Sequence, residues 1–491
     1  MVFSSKIFLF LFLPFVLLVY YGIPRRFVTA RNVFLLVMSL AFYAYGETKF
    51  TVMLVLSILM NWAFGLWVNR CREQHRRATF VLVLMLIGNL SILAWFKYWM
   101  FLLKNVNYFA GSHLPIPQIM LPIGISFFTF QAISYVLDVY RGKGAAQKNP
   151  LNVGLYIAFF PQLVAGPIVR YETIAQQIFN RKETFDDFSE GVYRFIVGLG
   201  KKVLIANNVA LAADAAFATP GNELSTGLAW LGAIAYTFQI YFDFSGYSDM
   251  AIGLGRMFGF RFLENFNYPY ISTSISEFWR RWHISLSSFF RDYVYIPLGG
   301  NRVSTPRLIL NLFIVWALTG LWHGADWAFV LWGLLFFVFL VFEKFTGFEK
   351  RLASPWFIPL KYVYTMLIVV IGWVLFKCGF DANMAAMRGE MVNSLPSTLH
   401  YVSTMFHLND QPLWSDAATL WLHETRWFYA FALVFSFPVV PWLIKRGDEL
   451  KNPVAQWMFT TGFSLVFLCV FILSVAYIVK SGYNPFIYFN F

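Results

Sequence analysis

Charge is the scarce component of this sequence. Asp, Glu, Lys and Arg make up 13% of its 491 residues, against 59% hydrophobic and 20% aromatic residues. Soluble domains carry about 25% charged residues and need them to cover a water-facing surface. Length alone suggests about three soluble domains, and the composition excludes that reading. Cysteine is nearly absent as well: Cys71, Cys378 and Cys469 stand far apart with no C-x-x-C, so neither a disulfide framework nor a zinc site is indicated. The sequence also lacks Gly/Ser linkers, low-complexity tracts and internal repeats. It has no G-x-S-x-G elbow, no Walker loop and no Gly-rich dinucleotide turn after a strand, so the hydrolase and nucleotide-binding motifs are missing.

What it has instead is long apolar runs. A bilayer crossing takes about 20 apolar residues. Runs of that kind cover 6–22, 32–46, 50–68, 79–103, 119–137, 195–213, 227–247, 308–322, 327–343, 361–376, 427–444 and 455–479. The expectation is an all-α polytopic membrane protein of about twelve spans. We read 1–491 as a single domain, with 377–426, which includes Lys377, as its only sizeable outer loop. The first apolar run has no small-residue cleavage site and reads as a retained span.

Lys and Arg number 38 against 25 acidic residues, a net charge of +13. In a soluble chain this excess would raise the question of nucleic acid. Here the basic residues sit between apolar runs, where the positive-inside bias puts them, and no nucleic-acid partner is expected. Arg25, Arg26 and Arg31, then Arg70, Arg72, Arg76 and Arg77, then Arg141, Lys143 and Lys148 mark cytoplasmic loops. Lys445, Arg446 and Lys451 fit the same register, which places both termini outside. Residues 153–169 are apolar but broken by Pro161 and Gly166-Pro167, and the basic stretch after them keeps this register only if they are re-entrant. Non-helical backbone at membrane depth must be buried in protein or line a wet cavity.

Ionisable groups at membrane depth are functional candidates by default. The foremost is LTGLWHGADW, 318–327, with His323 and Asp326. By helical rise His323 lies roughly 20 Å from Leu308, deep in the bilayer. A second is 277–302, where Phe278, Trp282 and Phe289 recur at helical spacing beside Arg280, Arg281 and His283. As an amphipathic interfacial helix it is either a membrane anchor or a basic, aromatic entrance for an anionic cytosolic donor. A third is TFQIYFDFSGYSDMAIG, 237–253, whose Asp243, Ser245, Ser248 and Asp249 form either a structural polar network or a means of orienting a histidine or a substrate. The other histidines, at 75, 113, 400, 407 and 423, read as ordinary loop residues.

Histidine titrates near neutrality and is the usual general base. A buried, neutral His323 can take the proton of an acceptor hydroxyl as it attacks a thioester carbonyl, with Asp326 or the 243–249 cluster fixing its tautomer. His283 would assist at the thioester or the developing oxyanion. A proton-coupled transporter or flippase would also keep an intramembrane His and Asp, and a passive scaffold is a third reading.

At these residues the sequence resembles the membrane-bound O-acyltransferase (MBOAT) family, in its alginate O-acetyltransferase, AlgI-like branch. The motifs are MVFSSKIFLFLFLP at the start, LPIGISFFTFQAISYVLDVYRG at 121–142, FFPQLVAGPIVRY at 159–171, DFSGYSDMAIG at 243–253, FWRRWHISLSSFFRDYVYIPLGGNR at 278–302 and LTGLWHGADWAFVLWG at 318–333. They run over nearly the whole chain. The resemblance implies a catalytic His323, with His283 as the second polar position. It also implies acetyl-CoA as cytoplasmic donor with no bound cofactor or metal, and a funnel crossing the membrane. An outer-side SGNH-hydrolase-like partner finishing transfer to an exopolysaccharide is implied too, in a bacterial inner membrane. Alginate leads; cellulose and peptidoglycan are the alternatives. The tail NPFIYFNF, 484–491, resembles the aromatic tail of related acyl-export systems, which implies Tyr488 as acyl relay; otherwise the tail is an interfacial aromatic belt.

Overall fold

The computed structural model describes residues 1–390, 392–485 and 487. Those residues build helices and connecting loops, with no strand among them. Seven of the described helices are long and apolar enough to cross a bilayer, and one bent pair brings the number to eight.

Each apolar run of the sequence falls on a helix, but helices and runs do not correspond one to one. Runs 32–46 and 50–68 share the 43-residue helix Val28–Arg70, whose backbone leaves helical geometry at Glu47 (φ −146°, ψ 61°). The break leaves two arms of roughly 30 Å, each the thickness of the hydrocarbon core. Run 427–444 becomes Asp416–Phe435 and Val439–Asp448, bent by 56°. The first and fifth runs form the shorter apolar helices Phe8–Gly22 and Ile125–Tyr140. Caps set several starts. Asn452 accepts from the backbone N–H of Val454 and Ala455 to open Pro453–Lys480, with proline in the first turn where no N–H is missed.

The chain forms two compact units. One holds Met1–Gly198, Tyr247–Leu263 and, of the described tail, Ile487; the other holds Leu199–Gly246 with Glu264–Pro485. The first unit contains the segment 153–169, which forms two short helices, Pro150–Ala158 and Phe160–Leu163. Nine residues rise only about 14 Å, too little to cross a bilayer. The freed backbone groups find protein partners, as depth requires. The Phe160 N–H donates to Ser39 Oγ (3.0 Å), Gln162 Nε2 donates to the Tyr156 carbonyl (2.5 Å), and Tyr156 Oη donates to the Val169 carbonyl (2.8 Å).

In the second unit, one expectation is corrected. The segment 277–302 is not one amphipathic helix. Ile275–Arg281 and Ile284–Phe290 are separate short helices, broken where His283 adopts a left-handed backbone (φ 44°). The helix Ile358–Met387 carries on past Lys377, the first residue of the expected outer insertion. Lys377 is buried there and pairs with Asp214 (3.0 Å) and Asp381 (2.9 Å), the partners that a buried charge requires. Three of the remaining histidines lie in helices rather than loops: His75 opens His75–Leu93, His400 is in Ser394–Met405 and His423 in Asp416–Phe435.

Candidate active site

His323 is the last residue of the helix Thr305–His323. That helix and the next, Trp327–Thr346, approach closely because both carry glycine at the crossing. A Cβ at Gly320 would stand 2.6 Å from the Phe329 carbonyl oxygen, and one at Gly333 2.5 Å from that of Trp316. Small residues at such crossings are the usual way for membrane helices to bring their backbones together. The turn between the helices is sealed by Asp326. Its carboxylate caps the second helix, accepting from the Ala328 N–H at 2.8 Å, and also accepts from the Ser394 hydroxyl. The capping duty explains an acidic residue at this depth without catalysis.

The His323 imidazole is 4% exposed and walled by aromatic rings, with centroids of Trp322, Trp332 and Phe376 at 4.9, 4.8 and 5.0 Å. Trp332 and Phe376 continue into a larger aromatic lattice through Trp373 (6.3 and 5.7 Å). The lattice excludes water and holds the ring by packing.

His283 is 1% exposed. Its left-handed backbone is fixed from a distant part of the chain. The Ile284 N–H donates to the Asn265 carbonyl (3.0 Å), and the Asn267 N–H donates to that of Arg281 (2.9 Å). Asn265 also sets the tautomer. Its Oδ1 accepts from the Ser285 N–H (3.2 Å) and hydroxyl (2.9 Å), which identifies that atom as the oxygen. His283 Nδ1, 3.1 Å from the same oxygen, is therefore the protonated nitrogen. Nε2 keeps its lone pair, buried and without a hydrogen-bond partner among the described residues. Burial holds the His283 pKa well below the ordinary histidine value, so the ring is neutral. In this tautomer Nε2 accepts, which suits an N–H or O–H of a bound molecule better than an oxyanion.

Trp322 brings the two histidines together. Its ring packs on His323 at 4.9 Å and on His283 at 5.9 Å, and Phe244 closes over His283 at 4.6 Å. Two buried imidazoles thus share one tryptophan at the end of an apolar helix.

Residues 145–384 match the family model of MBOAT, the membrane-bound O-acyltransferases. The chain is 48% identical over 382 residues, 77% of its length and 72% of the relative's, to a Pseudomonas aeruginosa protein named "Probable alginate O-acetylase AlgI". It is 41% identical over the full length of both chains to a Pseudomonas putida protein of the same name. A Helicobacter pylori protein named "Peptidoglycan O-acetyltransferase" is 33% identical over 531 aligned positions, covering 100% of this chain and 98% of the relative. The chain belongs to the membrane-bound O-acyltransferase family. It is an O-acyltransferase and a multi-pass membrane protein.

Within this acyltransferase the other expected site residues fall in several places. Asp243, Ser245, Ser248 and Asp249 all lie buried in the helix Thr226–Met257. Asp243 pairs with Lys202 at 2.7 Å and Asp249 with Arg194 at 2.7 Å, so each acid has its own cation. Phe244 of this run packs against His283. Arg281 is bound to Glu277 (2.9 Å), while the mostly exposed Arg280 reaches Glu349 at 3.5 Å. Tyr488 lies outside the described residues.

Three residues of the site are not among those singled out from the sequence, and two of them had no marker there. Asn265 is an ordinary loop amide in a single sequence. Trp322 looks like any other aromatic of the apolar run. Glu343 stands near the end of an apolar helix, where a charge at depth was a usable signal. Its carboxylate accepts from the N–H groups of Ile275 (2.6 Å) and Ser276 (2.9 Å), tying the start of the His283 segment to Trp327–Thr346.

Proposed function

We propose that this acyltransferase moves acetyl groups from cytoplasmic acetyl-CoA across the membrane for O-acetylation of an exopolysaccharide, alginate foremost, with His323 as general base. The observation that carries this reading is the pair of buried imidazoles on Trp322. His323 Nε2 or Nδ1 takes the proton of an acceptor hydroxyl, and the hydroxyl oxygen attacks the thioester carbonyl. The C–O bond forms, the C–S bond breaks, and the proton held by His323 passes to the departing CoA sulfur. General-base help of this kind is worth about 10²–10⁴ in rate. His283 Nε2 holds an N–H or O–H of the donor or acceptor, and Arg280 and Arg281 attract the anionic donor to a funnel opening on the cytoplasmic side.

The acceptor at the site is Tyr488, which carries the acetyl group outward to an SGNH-like partner for transfer to the polymer. The alternation of basic loops supports an inner-membrane orientation with both termini outside. The names of the Pseudomonas relatives support alginate; that of the Helicobacter relative keeps peptidoglycan as the second acceptor.

The test uses purified protein in lipid vesicles with acetyl-labelled acetyl-CoA. The expected result is loss of label from CoA and its recovery on Tyr488 by mass spectrometry, then on alginate oligomers when the partner is added. Proton flux with no acyl transfer would instead identify a transporter. Polymer acetylation that survives His323→Ala in cells would identify a scaffold.

A further inference from the structure

Residues 483–485 precede the proposed relay tyrosine, and each of the three is held by a different polar side chain of one helical stretch. Tyr483 Oη donates to Asp214 Oδ2 (2.5 Å). Asn207 Nδ2 donates to Asn484 Oδ1 (3.4 Å). Lys202 Nζ donates to the Pro485 carbonyl. Lys202 belongs to the wide turn Lys201–Ala206, while Asn207 and Asp214 belong to the helix Asn207–Ala218. Asn207 and Asp214 are seven apart, two turns of an α-helix, and so share a face. The wide turn bonds residues five apart, which brings Lys202 round toward the same side as Asn207. Such turns inside helices are frequent at functional sites.

The three holding side chains are themselves braced. Asp214 Oδ1 pairs with Lys377 Nζ (3.0 Å), which also binds Asp381 (2.9 Å). Lys202 pairs with Asp243 (2.7 Å). A chain end is poorly ordered unless tied down. Three consecutive residues held in one register do more: they fix where the rest of the tail begins.

We propose that Lys202, Asn207 and Asp214 form a clamp that sets the register of the C-terminal tail and so positions Tyr488 for acetyl transfer. The proposal rests on the relay reading above. It gives Asp243 a role as well: through Lys202 it is a positioning residue for the tail.

The test compares the full-length enzyme with Tyr483→Phe, which removes one hydroxyl and leaves every charge paired, and with Asp214→Asn. Transfer kinetics with acetyl-CoA are measured in lipid vesicles. In a background with the three cysteines replaced by serine, a nitroxide on Phe491→Cys reports tail mobility. Both variants are expected to lower transfer kcat about tenfold, since small misplacements of reacting groups are costly, with KM for acetyl-CoA unchanged. The nitroxide spectrum is expected to gain a mobile component. Unchanged kcat together with an unchanged spectrum overturns the clamp. Acetyl recovered on Tyr483 overturns it too, because that residue would then be the acceptor. If the parent enzyme shows no acetyl on Tyr488, the relay fails, and the clamp is then decided by the nitroxide alone.

Discussion

In the unit containing Met1–Gly198, Glu183 lies at the centre of a buried polar cluster. Its Oε1 accepts from Tyr20 Oη (2.6 Å) and Arg31 Nη1 (3.0 Å), and Arg181 Nε stands 3.6 Å away. Arg181 in turn donates to Asn32 Oδ1 (2.6 Å). In the other unit His283 is as deeply buried, yet its Nε2 keeps an unengaged lone pair among the described residues. The first cluster pairs its carboxylate with two guanidinium groups and behaves as architecture, although Arg181 Nη2 is also buried without a hydrogen-bond partner among the described residues. The second leaves an acceptor buried, a costly arrangement unless a bound molecule completes it. Neither burial of polar groups nor one unfilled valence separates structure from function; what marks the second site is that its unengaged lone pair belongs to a neutral imidazole sharing Trp322 with His323.

Four substitutions break or sharpen that contrast. The largest stability effect is expected for Glu183→Leu, which strands Arg31 and Arg181 and costs about 3–5 kcal/mol. Thermal unfolding in detergent measures it, and turnover per folded molecule is expected to stay near the parent value. A collapse of turnover in protein that remains folded would erase the distinction between the clusters.

His283→Gln reverses the pattern. Turnover is expected to fall about a hundredfold, near 3 kcal/mol in the transition state, with little change in melting temperature. The same variant carries a pH signature. Because burial depresses the folded His283 pKa, the unfolded chain takes up the proton first as pH falls below about 6.5. The stability from the neutral ring is therefore present above that pH and is lost as pH falls toward the folded value. His283→Gln is expected to flatten that acid-side loss.

Gly320→Ala places a methyl group 2.6 Å from the Phe329 carbonyl and forces the two helices apart. About 1–3 kcal/mol of destabilisation follows, with a fall in turnover as His323 shifts. Smallest is Arg280→Ala, a mostly exposed cation, which is expected to raise KM for acetyl-CoA only a few-fold and more at low salt.

The sequence made the apolar helices readable because lipid demands long apolar runs and leaves no other solution for the backbone. His323 was readable for the same reason, as a titratable group far along such a run. Other features were hidden by tertiary contacts. The pattern EFWRRWHISLSS favours one helix, and the break at His283 is imposed by Asn265, whose backbone and side chain both engage the turn. The two acids of 243–249 looked convergent because they are close in sequence, yet Lys202 and Arg194 claim them separately. Lys377 looked like a loop charge because its partners, Asp214 and Asp381, are recognisable only once the helices are packed.

The central claim is that His323 performs the proton transfer. Acetyl-CoA turnover by His323→Ala in lipid, beside the parent enzyme and matched for folding by chromatography and melting temperature, tests it most directly. The account predicts a loss of about 10³-fold with the fold intact. Turnover equal to the parent's in that folded variant would contradict it.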